Sequence, residues 1–226
     1  MPVAPGSRFP GLIRTASAFS FPVSSPMVID RSHPGTPAKR ASLHTLGCRL
    51  NQYETRVLRD QLVEAGFRIV PFGEPADLGI INTCTVTRQA DAKCRAEIRK
   101  FTRRNPSAVT VVVGCYSQMG SREIASIPGV DVIVGNQDKL NVLDYVPEAK
   151  AEVPVIVRDR IRRSDFEIAF VGEHPFEKRA NLKIQDGCDF VCSFCIIPRA
   201  RGRARSRDFA NRSEEHTSEL QSHAPI

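Results

Sequence analysis

No stretch of this 226-residue sequence stays apolar for the roughly 18 residues that a membrane-spanning helix needs, so no membrane segment is expected. Nor is there an even complement of cysteines. The seven present cluster near the ends of predicted strands, unlike the paired framework of a small secreted domain, and a reducing compartment, the cytoplasm, suits them better. Thiolates kept reduced are free to bind metal. Acidic residues are almost missing from positions 1–41, where Asp30 stands against Arg8, Arg14, Arg31, Lys39 and Arg40 amid Ser, Pro and Gly. That leader does not fold alone. It reads as a start assigned too far upstream, with Met27 as a later one, or as an organelle transit peptide.

The whole chain has ordinary globular proportions, 41% hydrophobic and 25% charged, enough to bury a core. Its net charge of +7 points to an acidic partner, most simply nucleic acid. From Ser42 onward the pattern alternates strand and helix. Strands are predicted over 42–46, 67–70, 78–81, 109–113 and 130–134, and helices over 51–66, 89–104, 124–127 and 139–145. Asn51 is placed as the cap of the first helix, with Glu54 three residues on completing a capping box. The unbroken β-branched run 109–113 marks a strand buried on both faces. The fold class is therefore α/β with a parallel sheet.

Cys48, Cys84 and Cys115 each fall just beyond the carboxyl end of a predicted strand. In a parallel sheet those ends share one edge, where ligands bind in open α/β folds, so thiolates far apart in sequence can meet there. Three of them suit an iron-sulfur cluster with one iron left open, a zinc with a water as fourth ligand, or simply three small buried hydrophobes. Cys94 instead lies on the stripe Ala90, Cys94, Ile98 and Phe101, which predicts core packing.

After a connection of low regularity, a strand over 181–185 opens into Asp186-Gly187-Cys188-Asp189-Phe190-Val191-Cys192-Ser193-Phe194-Cys195. The spacing Cys-x3-Cys-x2-Cys lets one loop wrap three corners of a 4Fe-4S cube. The fourth iron is then free to chelate the amino and carboxylate groups of S-adenosylmethionine, whose reductive cleavage yields a 5'-deoxyadenosyl radical. A zinc knuckle is the competing reading, but it needs a fourth ligand, and His174 and His216 are poorly placed to supply one.

This loop, with Phe194 before its last cysteine, resembles the radical S-adenosylmethionine signature. Leu46-Gly47-Cys48-Arg49-Leu50-Asn51-Gln52-Tyr53-Glu54, Ile81-Asn82-Thr83-Cys84-Thr85-Val86-Thr87 and Val113-Gly114-Cys115-Tyr116 resemble the amino-terminal domain of the methylthiotransferase family. The resemblance covers about 42–208. It implies a sulfur-group transferase with two 4Fe-4S clusters: an auxiliary, sulfur-supplying one on Cys48, Cys84 and Cys115, and a radical-generating one on Cys188, Cys192 and Cys195, with Phe194 beside the bound S-adenosylmethionine. One S-adenosylmethionine would methylate sulfur and a second would make the radical that takes hydrogen from carbon 2 of an adenine. The implied partners are the anticodon stem-loop of tRNA and an electron donor such as flavodoxin or ferredoxin. Arg49-Leu50-Asn51 looks most like the branch acting on threonylcarbamoyladenosine. Sister branches act on isopentenyladenosine or on a ribosomal protein, and a non-catalytic zinc or RNA-binding module is the alternative of another class.

Arg199, Arg201, Arg203, Arg205 and Arg207 recur at every second residue, either to track RNA phosphates or as a solvated basic loop. Past Asp208 the string from Arg212 to His223 resembles a translated sequencing adapter, with a helix capped by Ser213 as the other reading. The expected organisation is a leader over 1–41, a methylthiotransferase amino-terminal domain over 42–146, a linker over 147–179, the start of a radical S-adenosylmethionine (β/α) barrel over 180–208, and a non-native tail over 209–226. On that reading the polypeptide as written lacks turnover.

Overall fold

The computed structural model describes residues 38–164, 166–168 and 181–211. The leader before 38, most of the second half of the proposed linker with His174, and the tail beyond 211 with His216 lie outside the described residues.

The chain runs β1 Arg40–Thr45, α1 Arg49–Glu64, β2 Arg68–Val70, β3 Leu78–Thr83, α2 Arg88–Arg104, β4 Val109–Gly114, α3 Cys115–Met119, α4 Ser121–Ala125, β5 Val132–Val134, a 3-10 helix Lys139–Tyr145 and β6 Val155–Val157. All six strands pair in parallel in the order β2-β1-β3-β4-β5-β6. The period-two alternation of strand side chains splits the core into two layers. Ile81, Val112 and Ile133 pack with Cys94, Ile98 and Phe101 of α2 on one face. On the other, Ile80, Val111, Val113 and Val132 meet Leu58 and Leu62 of α1 and Val142 of the 3-10 helix. Both faces are thus covered, as a parallel sheet requires, because its strands have no wet side. Cys94 is completely buried in the first layer, as its helix stripe predicts.

Three sequence expectations need correction. Asn51 does not cap α1. The helix starts at Arg49 with Cys48 in the cap position and no side-chain capping bond, and Asn51 is an internal, wholly buried residue. The residues that match the capping-box pattern have side chains engaged far along the chain rather than at the helix end. Secondly, the proposed linker contributes β6, which pairs with β5 from Val132↔Val155 to Val134↔Val157 and extends the sheet. Thirdly, the strand expected over 181–185 shrinks to β7, Gln185–Asp186, paired antiparallel with β8, Arg205–Ser206, around the short helix α5, Ile197–Arg201. No helix among the described residues is long and apolar enough to cross a membrane.

Candidate metal centre at the sheet edge

The ladder register sets Thr45 beside Asn82 and Thr83 beside Gly114, so β1, β3 and β4 end together and deliver Cys48, Cys84 and Cys115 to one edge. A hydrogen-bonded frame fastens the three turns. Asn51 Nδ2 donates to the carbonyls of Leu46 at 2.8 Å and Thr83 at 3.0 Å, tying the turn before Cys48 to the turn before Cys84. Thr83 Oγ1 donates to Val113 O at 2.6 Å, and Asn136 Nδ2 reaches Cys115 Sγ at 3.5 Å. Gly47 adopts φ 107°, and a Cβ there would fall 2.9 Å from Cys84 Sγ, so the sulfur lies directly against the backbone that leads into Cys48.

Burial pushes the Cys84 thiol up from its ordinary value, and the neighbouring Cys115 and Cys48 sulfurs add to the rise. Yet among the described residues no three His, Cys, Asp or Glu side chains close up around a single metal ion. The three cysteine turns nonetheless share one sheet edge. Cys94 makes no part of it: its Sγ accepts from Cys84 N at 3.4 Å, and burial pushes its thiol up to about 11, which keeps it protonated.

Gly114 turns the chain from β4 into Cys115 at φ 100°, and a Cβ there would sit 2.5 Å from Asn82 Oδ1 and 2.6 Å from Thr83 O. Gly114→Ala is expected to cost roughly 1–3 kcal/mol from backbone conformation alone, with the collision added. A urea titration monitored by circular dichroism checks it; an unchanged midpoint would contradict the geometry.

The second cysteine set hangs on β7. Cys188 N donates to Gly202 O at 3.1 Å and Cys195 N to Cys192 O at 3.1 Å, closing a loop in which Cys192 is exposed and Cys188 and Cys195 are half-buried. Phe194 stands 91% exposed at the loop surface.

Between the two sets lies a buried charge hub that sequence reasoning did not foresee. Glu54 Oε2 accepts from Lys139 Nζ at 2.5 Å and Glu54 Oε1 from Lys183 Nζ at 2.7 Å. Arg201 forks onto the same carboxylate, Nη1 to Oε1 at 3.0 Å and Nη2 to Oε2 at 3.2 Å. Asp186 accepts from Arg201 Nη1 and Lys183 Nζ, each at 2.8 Å. Burial opposes charge on Glu54, but Lys139, Lys183 and Arg201 together outweigh it and hold the carboxyl down at about 2. Asp186 is likewise held below its ordinary range by Lys183 and Arg201 against its burial. Cations outnumber carboxylates in this hub, Lys139, Lys183 and Arg201 against Glu54 and Asp186, and Lys139 Nζ also donates to Asn136 Oδ1 at 2.7 Å.

The alternating arginines are accordingly not one surface. Arg201 and Arg207 are buried, and Arg205 lies over the Phe166 ring at 5.4 Å, leaving Arg199 and Arg203 exposed. Arg207 turns inward because its guanidinium finds acceptors there, Nε on Asn211 Oδ1 at 2.6 Å and Nη2 on Ile168 O at 3.4 Å.

Residues 40–135 match the uncharacterized protein family UPF0004. Over 169 residues the chain is 44% identical to threonylcarbamoyladenosine tRNA methylthiotransferase MtaB of Bacillus subtilis, covering 74% of this chain and 38% of that protein. Its counterpart in Aquifex aeolicus is 40% identical over 176 residues, covering 75% of this chain and 42% of that protein. The chain is related to the methylthiotransferases. A sister branch is also similar: tRNA-2-methylthio-N(6)-dimethylallyladenosine synthase of Clostridium novyi is 30% identical over 199 residues, covering 84% of this chain and 43% of that protein. The chain spans about two fifths of the length of these methylthiotransferases, between 38% and 43%.

Proposed function

We propose that this chain carries the sulfur-donor domain and the radical-initiating loop of a tRNA methylthiotransferase acting at carbon 2 of N6-threonylcarbamoyladenosine beside the anticodon. The observation that carries the reading is the packing of the segment just past Cys195 against the edge that carries Cys48, Cys84 and Cys115, through Arg201 on Asn51 and through Asn136 between Ala200 O and Cys115 Sγ. The donor sets fit 4Fe-4S clusters: all six thiols are unpaired, each set leaves one cluster corner without a protein ligand, and the Lys139 cation reaches Cys115 through Asn136. When bound, the clusters would supply the electron that cleaves S-adenosylmethionine and the sulfur that is transferred. Cys48, Cys84 and Cys115 would hold the sulfur-donor cluster, and Cys188, Cys192 and Cys195 the radical-generating one. Asn136 donates to Cys115 Sγ and steadies its orientation. Phe194, exposed on the loop, is free to pack against bound S-adenosylmethionine or the remainder of a (β/α) barrel.

Reconstitution with iron and sulfide without oxygen tests this. About eight irons per chain and a broad brown absorbance are expected, one four-iron cube for each cysteine set. Colourless protein with stoichiometric zinc would instead indicate a binding module.

For the tRNA partner, the usable basic surface is a segment just past β6. Arg158, Arg160, Arg162 and Arg163 are all exposed there, and Ile161 between them packs against Gly202 at the end of α5, which places them next to the Cys188 loop. Replacing all four with Gln is expected to weaken binding of an anticodon stem-loop at least about tenfold and to flatten its salt dependence by roughly one slope unit for every phosphate no longer neutralised. Fluorescence anisotropy across a salt series measures both. An unchanged slope would remove this segment from the RNA surface.

A further inference from the structure

Arg201 lies just past the second cysteine set, yet its guanidinium is buried against residues that hold the first. Beyond its fork on Glu54, Nη2 donates to Asn51 Oδ1 at 2.5 Å. Asn51 is the same side chain whose amide ties the turns before Cys48 and Cys84 together. On the other side, Nη1 bonds Asp186, the residue that opens the cysteine loop, and the Asp186 carboxylate accepts from Gly187 N at 3.0 Å. The neighbouring Ala200 carbonyl accepts from Asn136 Nδ2, which also contacts Cys115 Sγ. Gly202 then takes φ 81° and its carbonyl receives Cys188 N. The guanidinium therefore bonds Asn51 and Glu54 beside the first cysteine set and Asp186 beside the second, while the Ala200 carbonyl next to it reaches the Cys115 turn through Asn136.

We propose that Arg201, forked onto Glu54, is a positioning residue that sets the separation and facing of the two cysteine loops, so that sulfur donor and radical source address one adenosine. Its purpose rests on the methylthiotransferase reading; its placement rests on geometry alone. Buried ion networks are costly to assemble from water, and their best-attested use is to specify one arrangement over its neighbours. A planar fork does this better than an ammonium, because it fixes direction as well as charge. Lys139 and Lys183 already neutralise Glu54, so Arg201 is not needed for charge balance there. What it adds is the connection from α1 to α5.

Arg201→Lys keeps the charge and removes the fork, which separates positioning from neutralisation. Hydrogen exchange of the purified chain is expected to accelerate at least tenfold for amides of 187–207, while those of β3, β4 and β5 keep wild-type protection. In iron-loaded chain reduced without oxygen, the magnetic interaction between the two clusters should weaken at unchanged iron content. Unchanged exchange would overturn the proposal, as would a uniform loss of protection across the sheet, which marks a general stabiliser. Accelerated exchange with an unaltered cluster interaction would overturn it too, since the loops would then keep their separation without the fork. If neither protein takes up iron, the methylthiotransferase reading fails while the exchange arm still decides the placement.

Discussion

Replacing Glu54 with Gln is expected to destabilise the fold by about 3–5 kcal/mol, the cost of leaving buried cations without their counter-charge. Lys139, Lys183 and Arg201 all converge on this one carboxylate, and Asp186 alone cannot balance them. Against typical domain stabilities of about 5–15 kcal/mol this is a large fraction, so the urea midpoint at pH 7 should fall visibly. The pH dependence supplies a second signature. The Glu54 carboxyl is lowered from 4.5 to about 2, so its contribution is complete above pH 4.5 and disappears as pH falls toward 2. A shift of that size corresponds to about 3 kcal/mol. Wild-type midpoints should therefore drop between pH 4.5 and 2, with a shallower drop in the variant, where Asp186 still titrates below its ordinary range. Parallel curves for the two proteins would mean that Glu54 is not the ionised centre of the hub.

The second large effect concerns metal content. Replacing Cys188, Cys192 and Cys195 together with Ala is expected to halve the iron of the reconstituted chain, from about eight to about four, and to abolish the change that S-adenosylmethionine induces in the spectrum of the reduced protein. The mirror triple at Cys48, Cys84 and Cys115 should lose the same amount of iron but retain that response, because S-adenosylmethionine is read as binding the open iron held by Cys188, Cys192 and Cys195. Iron analysis and electron paramagnetic resonance on both variants make the comparison. Retention of all iron in either triple would remove that set from cluster binding. Cys94→Ala should leave the iron content unaltered, since its thiol is buried against Cys84's backbone and held protonated.

The parallel sheet was legible in the sequence because its evidence is local. The run Val109, Thr110, Val111, Val112 and Val113 has no polar break except a threonine, and Cys48, Cys84 and Cys115 each lie just beyond a predicted strand, so the shared edge came from the parallel pattern alone. What escaped were residues whose meaning depends on partners far along the chain. Asn51 and Glu54 imitate a helix start, but their side chains answer to Arg201, 150 and 147 residues away. Nothing in the spacing of Lys139, Lys183 or Asp186 marks them as buried, for a single charged residue in a loop normally faces water. A hint did exist: Asp186 and Arg201 flank a cysteine loop whose other charges are few. β6 escaped because Val155, Ile156 and Val157 are too short a run to outweigh the charged residues around them.

The borders of the sheet have a consequence for life in a crowded cell. Among the described residues one is β2, Arg68–Val70, stopped by Pro71, and the other is β6, Val155–Val157, preceded by Pro154. Strands this short, each adjoining a residue that cannot donate to a ladder, offer a neighbouring molecule little to pair with. Such blunting matters for a parallel architecture, whose distant segments find each other slowly and leave unpaired backbone open to aggregation on the way.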